Sequence, residues 1–361
     1  MRHHLNFLDT TVRFDVDDAA QAAFEPVRRF FRHLLSPTAH RPPAFRIAVH
    51  PYDPDRDVDA QVWRIPRSTI RRSSAPEFTF DAHRVDTGTR TLYVNRATLL
   101  DAPADTAHDT AFLLRVTAGS TVQVIDFVRD LVIRRQEQLG TVVLHASGVA
   151  RGEEAVAVAG PKGAGKTTTL LSVLRHGGWR YFTGDKLFCT LDGEQVLVHP
   201  WRDCPYVGVG TIRSDERLAR LVRDSTRSDP GRLDPSHKIL LDPDRFEEWL
   251  GSPFDPRPRR LATVLLPQVR PGEPLAVRRL EDDNERWAHL NKIVDRQADT
   301  TFFTWQSYLV PDYSAFYRSL SRLRAALRPV DMIRLTGTLD VDLDDVLVRA
   351  RATAAAAGMC P

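Results

Sequence analysis

Residues 160 to 169 read GPKGAGKTTT. Gly160, Gly165, Lys166 and Thr167 fill the four fixed places of G-x-x-x-x-G-K-[ST], a loop that wraps nucleotide phosphates. Its glycines let successive backbone N–H groups turn inward around phosphate oxygens, and a following helix adds its positive N-terminal end. The nucleotide contacts expected are therefore Gly160, Pro161, Lys162, Gly163, Ala164, Gly165, Lys166, Thr167 and Thr168. Lys166 is expected to bridge the outer phosphates of the nucleotide, and the Thr167 hydroxyl to help hold Mg²⁺. Lys162 either adds a phosphate contact or points into solvent.

Where the terminal phosphate goes depends on acids and bases outside the loop. Asp185 closes WRYFTGD, just past an apolar strand, either in the region where open parallel sheets bind ligands or as a plain turn residue after Gly184. Asp242, in KILLDPD, is followed by proline and a second aspartate and reads as a surface turn. His145 sits in the apolar run TVVLHASGVA, either as a hydrogen-bonded core histidine or as a group of the site. Five of the fifty basic residues are lysine, namely Lys162, Lys166, Lys186, Lys238 and Lys292. In an arginine-rich chain, compact ammonium groups gathered at the loop point to phosphate contacts. Lys186 either pairs with Asp185, meets a phosphate or is solvated, and Lys238 either reaches across the cleft or is solvated. Trp201 and Arg202 read as groove-lining residues or as a packed indole beside a surface arginine.

The elements around these residues fall into two groups. The first 110 residues hold strand-like runs (LNFLDTTVRF, FRIAVHP, QVWRIP, EFTFDAHRV, TRTLYVN) and one helix, AAQAAFEPVRRFFRHLLS. The Thr-Gly turn within HRVDTGTRTLYVN predicts a hairpin. This is the pattern of a smaller N-terminal α+β domain, residues 1–115, suited to substrate or partner binding. TVQVIDFVRDLVIRRQEQLG then predicts a helix with a glycine stop, at the start of an α/β domain over 116–361. TVVLHASGVA and AVAVAG predict adjacent buried strands joined by RGEE. Next come the loop, a helix ending at Gly177-Gly178 and the strand WRYF, read as the βαβ unit a phosphate loop requires. PRRLATVLLPQV and DMIRLTGTL supply later strands, and DRFEEWLG, SAFYRSLSRLRAALR and the C-terminal alanine-rich stretch supply helices.

Composition narrows the function classes. At 361 residues and 42% hydrophobic content the chain buries a real core, which argues against disorder. Fifty Lys and Arg against 47 Asp and Glu leave no strong field for nucleic acid or an acidic membrane, so neither is expected as a partner. Cys189, Cys204 and Cys360 have no Cys-x-x-Cys spacing and read as free thiols of a reducing compartment. With no signal-like start and no run of about 18 apolar residues, the expected location is the cytoplasm.

The span LHASGVARGEEAVAVAGPKGAGKTTTLLSVLRHGGWRYFTGDKLF resembles the catalytic domain of HPr kinase/phosphorylase and of related kinases in peptide natural-product pathways. A histidine-bearing strand, a turn, the phosphate loop, a helix and an aspartate at a strand end follow in that family's order, with His145 at the histidine. YVGVGTI resembles the family's R-G-x-G-I segment, and RRLATVLLPQVRPGEP a strand of the relatives. The resemblance covers about residues 140 to 340, and the first 110 residues match nothing in the HPr kinase N-terminal domain. It implies an α/β, HPr-kinase-like P-loop domain that transfers the γ-phosphoryl group of ATP to a hydroxyl of a peptide, protein or small metabolite. An aspartate would take the hydroxyl proton and Mg²⁺ would neutralise the phosphates.

By this resemblance the catalytic residues are Asp185, His145 and Lys166, and the metal ligands Thr167, Asp185 and Asp203. Two departures matter. The family has Asp-Asp where this chain has Gly184-Asp185, so one carboxylate serves as base, metal partner or both. The family's metal-binding glutamate falls at Pro205, leaving Asp203 to substitute, with Asp192 as its rival. Relatives are often oligomeric, which leaves a homo-oligomer open. The departures also keep a second class in view, a nucleotide-responsive regulatory protein that docks a partner through residues 1–110. A motor ATPase is disfavoured, because neither a signature segment nor a basic stripe is present.

Overall fold

The computed structural model describes residues 1–71, 78–104, 110–226, 229–234, 237–295, 312–338 and 340–357. The described residues fall into two compact units, one built on Met1–Gly140 and the other on Thr141–Asp295 with the chain from Phe316. Both mix helices and sheets, and among the described residues no helix is long and apolar enough to cross a membrane.

The first unit contains β1 (Arg2–Phe7), β2 (Thr10–Val16), α1 (Gln21–Phe30), β3 (Leu35–Ser36), β4 (Phe45–Pro51) and β5 (Arg67–Arg71). After these come β6 (Phe80–Asp86), β7 (Arg90–Val94), β8 (Thr98–Pro103), β9 (Ala111–Val116) and α2 (Thr121–Gln138). The described strands make one sheet in the order β3-β1-β2-β4-β9-β8-β7-β6-β5, parallel only across β2, β4 and β9. The expected hairpin is β6–β7, with Asp86 opposite Thr91.

Three expectations for this half are corrected. The helix predicted through Ser36 stops at Phe30, because Leu35 leaves the helix to pair with Leu5 of β1. QVWRIP is no strand: Val62–Arg64 is a 3₁₀ turn closed by local bonds such as Ile65 N to Val62 O, 3.1 Å. The break between units falls after Gly140 rather than at 115, because α2 buries itself in the first unit. Its Phe127 ring meets Phe112 at 5.3 Å, Gln136 Nε2 donates to Thr10 Oγ1 at 2.8 Å, and Asp126 pairs with Arg71.

The second unit runs through β10 (Val142–Arg151), β11 (Glu154–Ala159), α3 (Lys166–Arg175), β12 (Arg180–Thr183), β13 (Lys186–Asp192) and β14 (Gln195–Pro200). It continues with β15 (Tyr206–Gly208), α4 (Val209–Arg213), α5 (Glu216–Thr226), β16 (Lys238–Leu240), α6 (Pro243–Leu250) and β17 (Arg259–Val269). β18 (Ala276–Arg279), α7 (Asp283–Ile293), β19 (Val294–Asp295), α8 (Tyr313–Ala326), β20 (Asp331–Gly337) and α9 (Leu343–Ala357) complete it.

Its main sheet follows β11-β10-β13-β14-β17-β20-β18, and β11 also pairs with β17, so five strands close on one another. β10 and β11 are the antiparallel neighbours expected on either side of RGEE, with Arg151 opposite Glu154. The βαβ expectation needs correction. The strand after the loop helix, β12, pairs antiparallel with β10, whereas the parallel neighbour of β11 is the distant β17, followed in parallel by β20.

Alternation along these strands feeds two cores. Ala155, Ala157 and Ala159 face one with Leu290, Phe316 and Leu320, while Val156 and Val158 face the other with Leu170, Leu218, Phe246 and Val346. The sheet is thus covered by α7 and α8 on one side and by α3, α5, α6 and α9 on the other. That burial holds the loop between β11 and α3 against a rigid base.

Candidate active site

β11 delivers the loop and α3 receives it. Gly165 caps α3 in the left-handed region, φ 99°, which a side-chain-bearing residue adopts only with strain. No side chain caps this helix start, so its first-turn N–H groups face the loop. Ala164 is held from both sides, its N–H donating to Pro161 O at 3.1 Å and its carbonyl accepting from Val269 N at 3.1 Å. Lys166 Nζ donates to Gly160 O at 2.7 Å, so the lysine lies along its own loop. Burial pulls the Lys166 pKa down, opposed by Asp185 and reinforced by Lys238 and Lys186.

The Gly184-Asp185 turn between β12 and β13 is pinned to β10 beside the loop. Ser147 Oγ donates to Gly184 O at 2.6 Å, and Ala146 N to Asp185 O at 3.0 Å. Thr183 Oγ1 meets the Lys186 and Trp201 carbonyls at 3.0 and 2.8 Å. His145 stands opposite Lys186 in the β10–β13 ladder. This register brings His145 Nε2 to 3.1 Å from Asp185 Oδ1. The His145 side chain is 50% exposed, so it is not the core histidine that its apolar run allowed. Lys186 Nζ lies 3.7 Å from Asp185 Oδ2 and is in direct contact with Asp295, a residue the sequence reading did not single out.

Asp203 answers to the missing side chain at Gly184. A Cβ built on Gly184 would meet Asp203 Oδ2 at 2.5 Å, Oδ1 at 2.9 Å and the Tyr181 hydroxyl at 2.9 Å. The Asp203 carboxylate thus occupies the space into which a residue-184 side chain would project. It is buried and accepts from Tyr181 Oη at 2.9 Å. Burial raises the Tyr181 pKa well above the phenolic value and Asp203 adds to the shift, so the hydroxyl stays a donor.

Other candidates find plainer places. Asp192 is exposed at the end of β13, opposite Gln195. Asp242 is the N-cap of α6, accepting from Arg245 N at 3.0 Å. Trp201 is fully buried, and Arg202, expected at the surface, is also buried, with Nε 2.7 Å from Glu247 Oε1 and a second contact to Asp244. Lys238 Nζ lies 5.3 Å from the Tyr206 ring centroid, and burial followed by Lys162 lowers its pKa. Cys189 is a buried free thiol, and Cys360 lies outside the described residues.

Among the described residues no group of three or more His, Cys, Asp or Glu forms a ready-made metal cage. The hydroxyl of Thr167 and the carboxylates of Asp185 and Asp203 are hard oxygen donors. Such a set suits Mg²⁺ shared with nucleotide phosphates, since that ion is usually bound by one or two carboxylates, waters and phosphate oxygens.

No protein-family model matches the chain, and no curated protein sequence matches it. Among solved structures, the Hpr(Ser) kinase/phosphatase from Coxiella burnetii is similar over 59% of this chain and 97% of that one, at 10% identity and a TM-score of 0.27. At that level the likeness carries no argument, and the chemistry has to be read from the residues.

Proposed function

We propose that the protein is an ATP- and Mg²⁺-dependent kinase that passes the γ-phosphoryl group to a hydroxyl. Its acceptor is a serine or threonine of a peptide or protein, or a small hydroxylated metabolite. The observation that carries this reading is the His145–Asp185 contact of 3.1 Å on a turn tied to the strand that precedes the phosphate loop pair. Asp185 takes the acceptor proton as the acceptor oxygen bonds to phosphorus and the bond to the β-phosphate oxygen breaks, releasing ADP. His145 orients the Asp185 carboxylate and shares its proton. Lys166 and the loop amides stabilise the charge that moves onto the departing phosphates. Mg²⁺, when bound, supplies further charge neutralisation, with Thr167, Asp185 and Asp203 as the donors the chain offers it.

The test is transfer of label from γ-labelled ATP, with Mg²⁺, to a panel of serine- and threonine-containing peptides and small alcohols. Asp185→Asn should lower transfer at least about 100-fold while nucleotide affinity stays near that of the parent. Undiminished transfer in that variant would overturn the assignment of the base. A second reading, a nucleotide-responsive regulatory protein, draws on Gly184, which leaves the turn a single carboxylate. Slow hydrolysis of ATP that no acceptor accelerates would favour it.

A further inference from the structure

The Lys186 ammonium is buried, with its side chain 8% exposed, and a buried ammonium needs a counter-charge. Among the described residues, Asp185 and Asp295 each offer one. Asp185 is the chain neighbour of Lys186, 35% exposed and 3.7 Å away; Asp295 is 13% exposed and in direct contact. Asp295 reaches Lys186 from across β10. Val143 pairs with Asp295 of β19 on one edge of that strand, and His145 with Lys186 of β13 on the other. The backbone leaves α7 at Val294, with Leu290 and Ile293 buried in the core, so the helix end fixes where Asp295 stands. The attraction is stronger at the shorter distance and in the drier setting, and Asp295 has both.

We propose that Asp295 is a positioning residue: it anchors the Lys186 ammonium so that the lysine does not neutralise Asp185, its neighbour in sequence. His145, Asp185, Lys186 and Asp295 then form a row in which the imidazole partners Asp185 and the ammonium partners Asp295. Without Asp295 the four-carbon stem of Lys186 swings its ammonium onto Asp185, where it competes with the metal and the acceptor hydroxyl. The proposal rests on Asp185 being the carboxylate that works in the site.

The probe is Mn²⁺ in the presence of ADP, with unbound Mn²⁺ read by electron paramagnetic resonance, so that the readout does not depend on turnover. Asp295→Asn should weaken Mn²⁺ binding to the protein–ADP complex about three- to tenfold, the scale of one partly exposed ion pair. Asp295→Glu and the double variant K186M/D295N should both return to within twofold of the parent. Metal-free affinity for a fluorescent ADP should be unchanged throughout. Unaltered Mn²⁺ affinity in D295N overturns the anchoring role, as does a parent protein that binds no Mn²⁺ with ADP. If D295N does not fold, the double variant decides alone, since weak Mn²⁺ binding there makes Lys186 a contributor rather than a competitor and sinks the proposal. Phosphoryl transfer in the parent with no response to D295N removes only this inference; the expected Mn²⁺ pattern with no transfer to any acceptor removes the kinase reading instead.

Discussion

Gly184→Ala tests the arrangement of the site through packing alone. The backbone of Gly184 lies outside the left-handed region, so alanine meets no conformational penalty and the whole effect is steric. The new methyl carbon would stand 2.5 Å from Asp203 Oδ2 and 2.9 Å from the Tyr181 hydroxyl. Neither neighbour can turn into solvent, because Asp203 is 8% exposed and Tyr181 4%. Overpacking a close-packed site costs about 1–3 kcal/mol. Displacing Asp203 also strains its bond from Tyr181, a charged hydrogen bond worth about 1.5–3 kcal/mol when intact. The two terms overlap, and a net loss of about 2–4 kcal/mol is expected. Trp179, Trp201, Trp249 and Trp287 all lie in the second unit, so its unfolding in urea is read by tryptophan fluorescence. In Asp203→Ala the clash has no counterpart, so G184A/D203A should be less destabilised than the sum of the single variants by about 1–2 kcal/mol. Strict additivity, or a G184A protein within about 0.5 kcal/mol of the parent, would refute the claim that Asp203 fills the space of the missing side chain.

Two further outcomes follow from single residues. Burial drives the His199 pKa from 6.5 down to about 4, with Thr190 Oγ1 2.8 Å from its Nε2. The unfolded chain takes up this proton near pH 6.5 and the folded chain only near pH 4, so stability is full above pH 6.5 and falls through that window, by up to about 3 kcal/mol; His199→Gln should flatten the slope in pH-dependent urea midpoints. Asp242→Ala removes the N-cap of α6 and should cost about 1 kcal/mol, with Asp242→Ser recovering most of it, in the same fluorescence assay.

What the sequence displayed was whatever is encoded between near neighbours. The glycine-rich loop, the strand before it, the helix after it and the β6–β7 hairpin each follow from residues a few positions apart, where periodicity and turn chemistry act. The parallel neighbour of β11 was hidden, because pairing with β17 depends on two apolar runs far apart, and either would fit several positions in a buried sheet. The boundary after Gly140 was hidden for a similar reason. The apolar face of α2 announces a helix but not which core receives it, and only its contacts with Thr10, Arg71 and Phe112 decide that.

The site shows the same division more sharply. Asp185 and His145 stood out as residues, yet their meeting depends on a ladder register that sets His145 against Lys186, and a slip of one residue would send His145 to the opposite face. Asp203 was a candidate by proximity in sequence to a family position, while its place against Gly184 depends on a Cβ that is absent, which no motif records. Asp295 carried no signal at all: one acid after a helix, in a chain with 47 acidic residues, becomes informative only when β19 sets it against β10. A departure from a family pattern therefore has to be weighed against what now fills the space. Gly184 read alone suggests a carboxylate removed, whereas the structure sets the Asp203 carboxylate, from beyond β14, in the space that a residue-184 side chain would take.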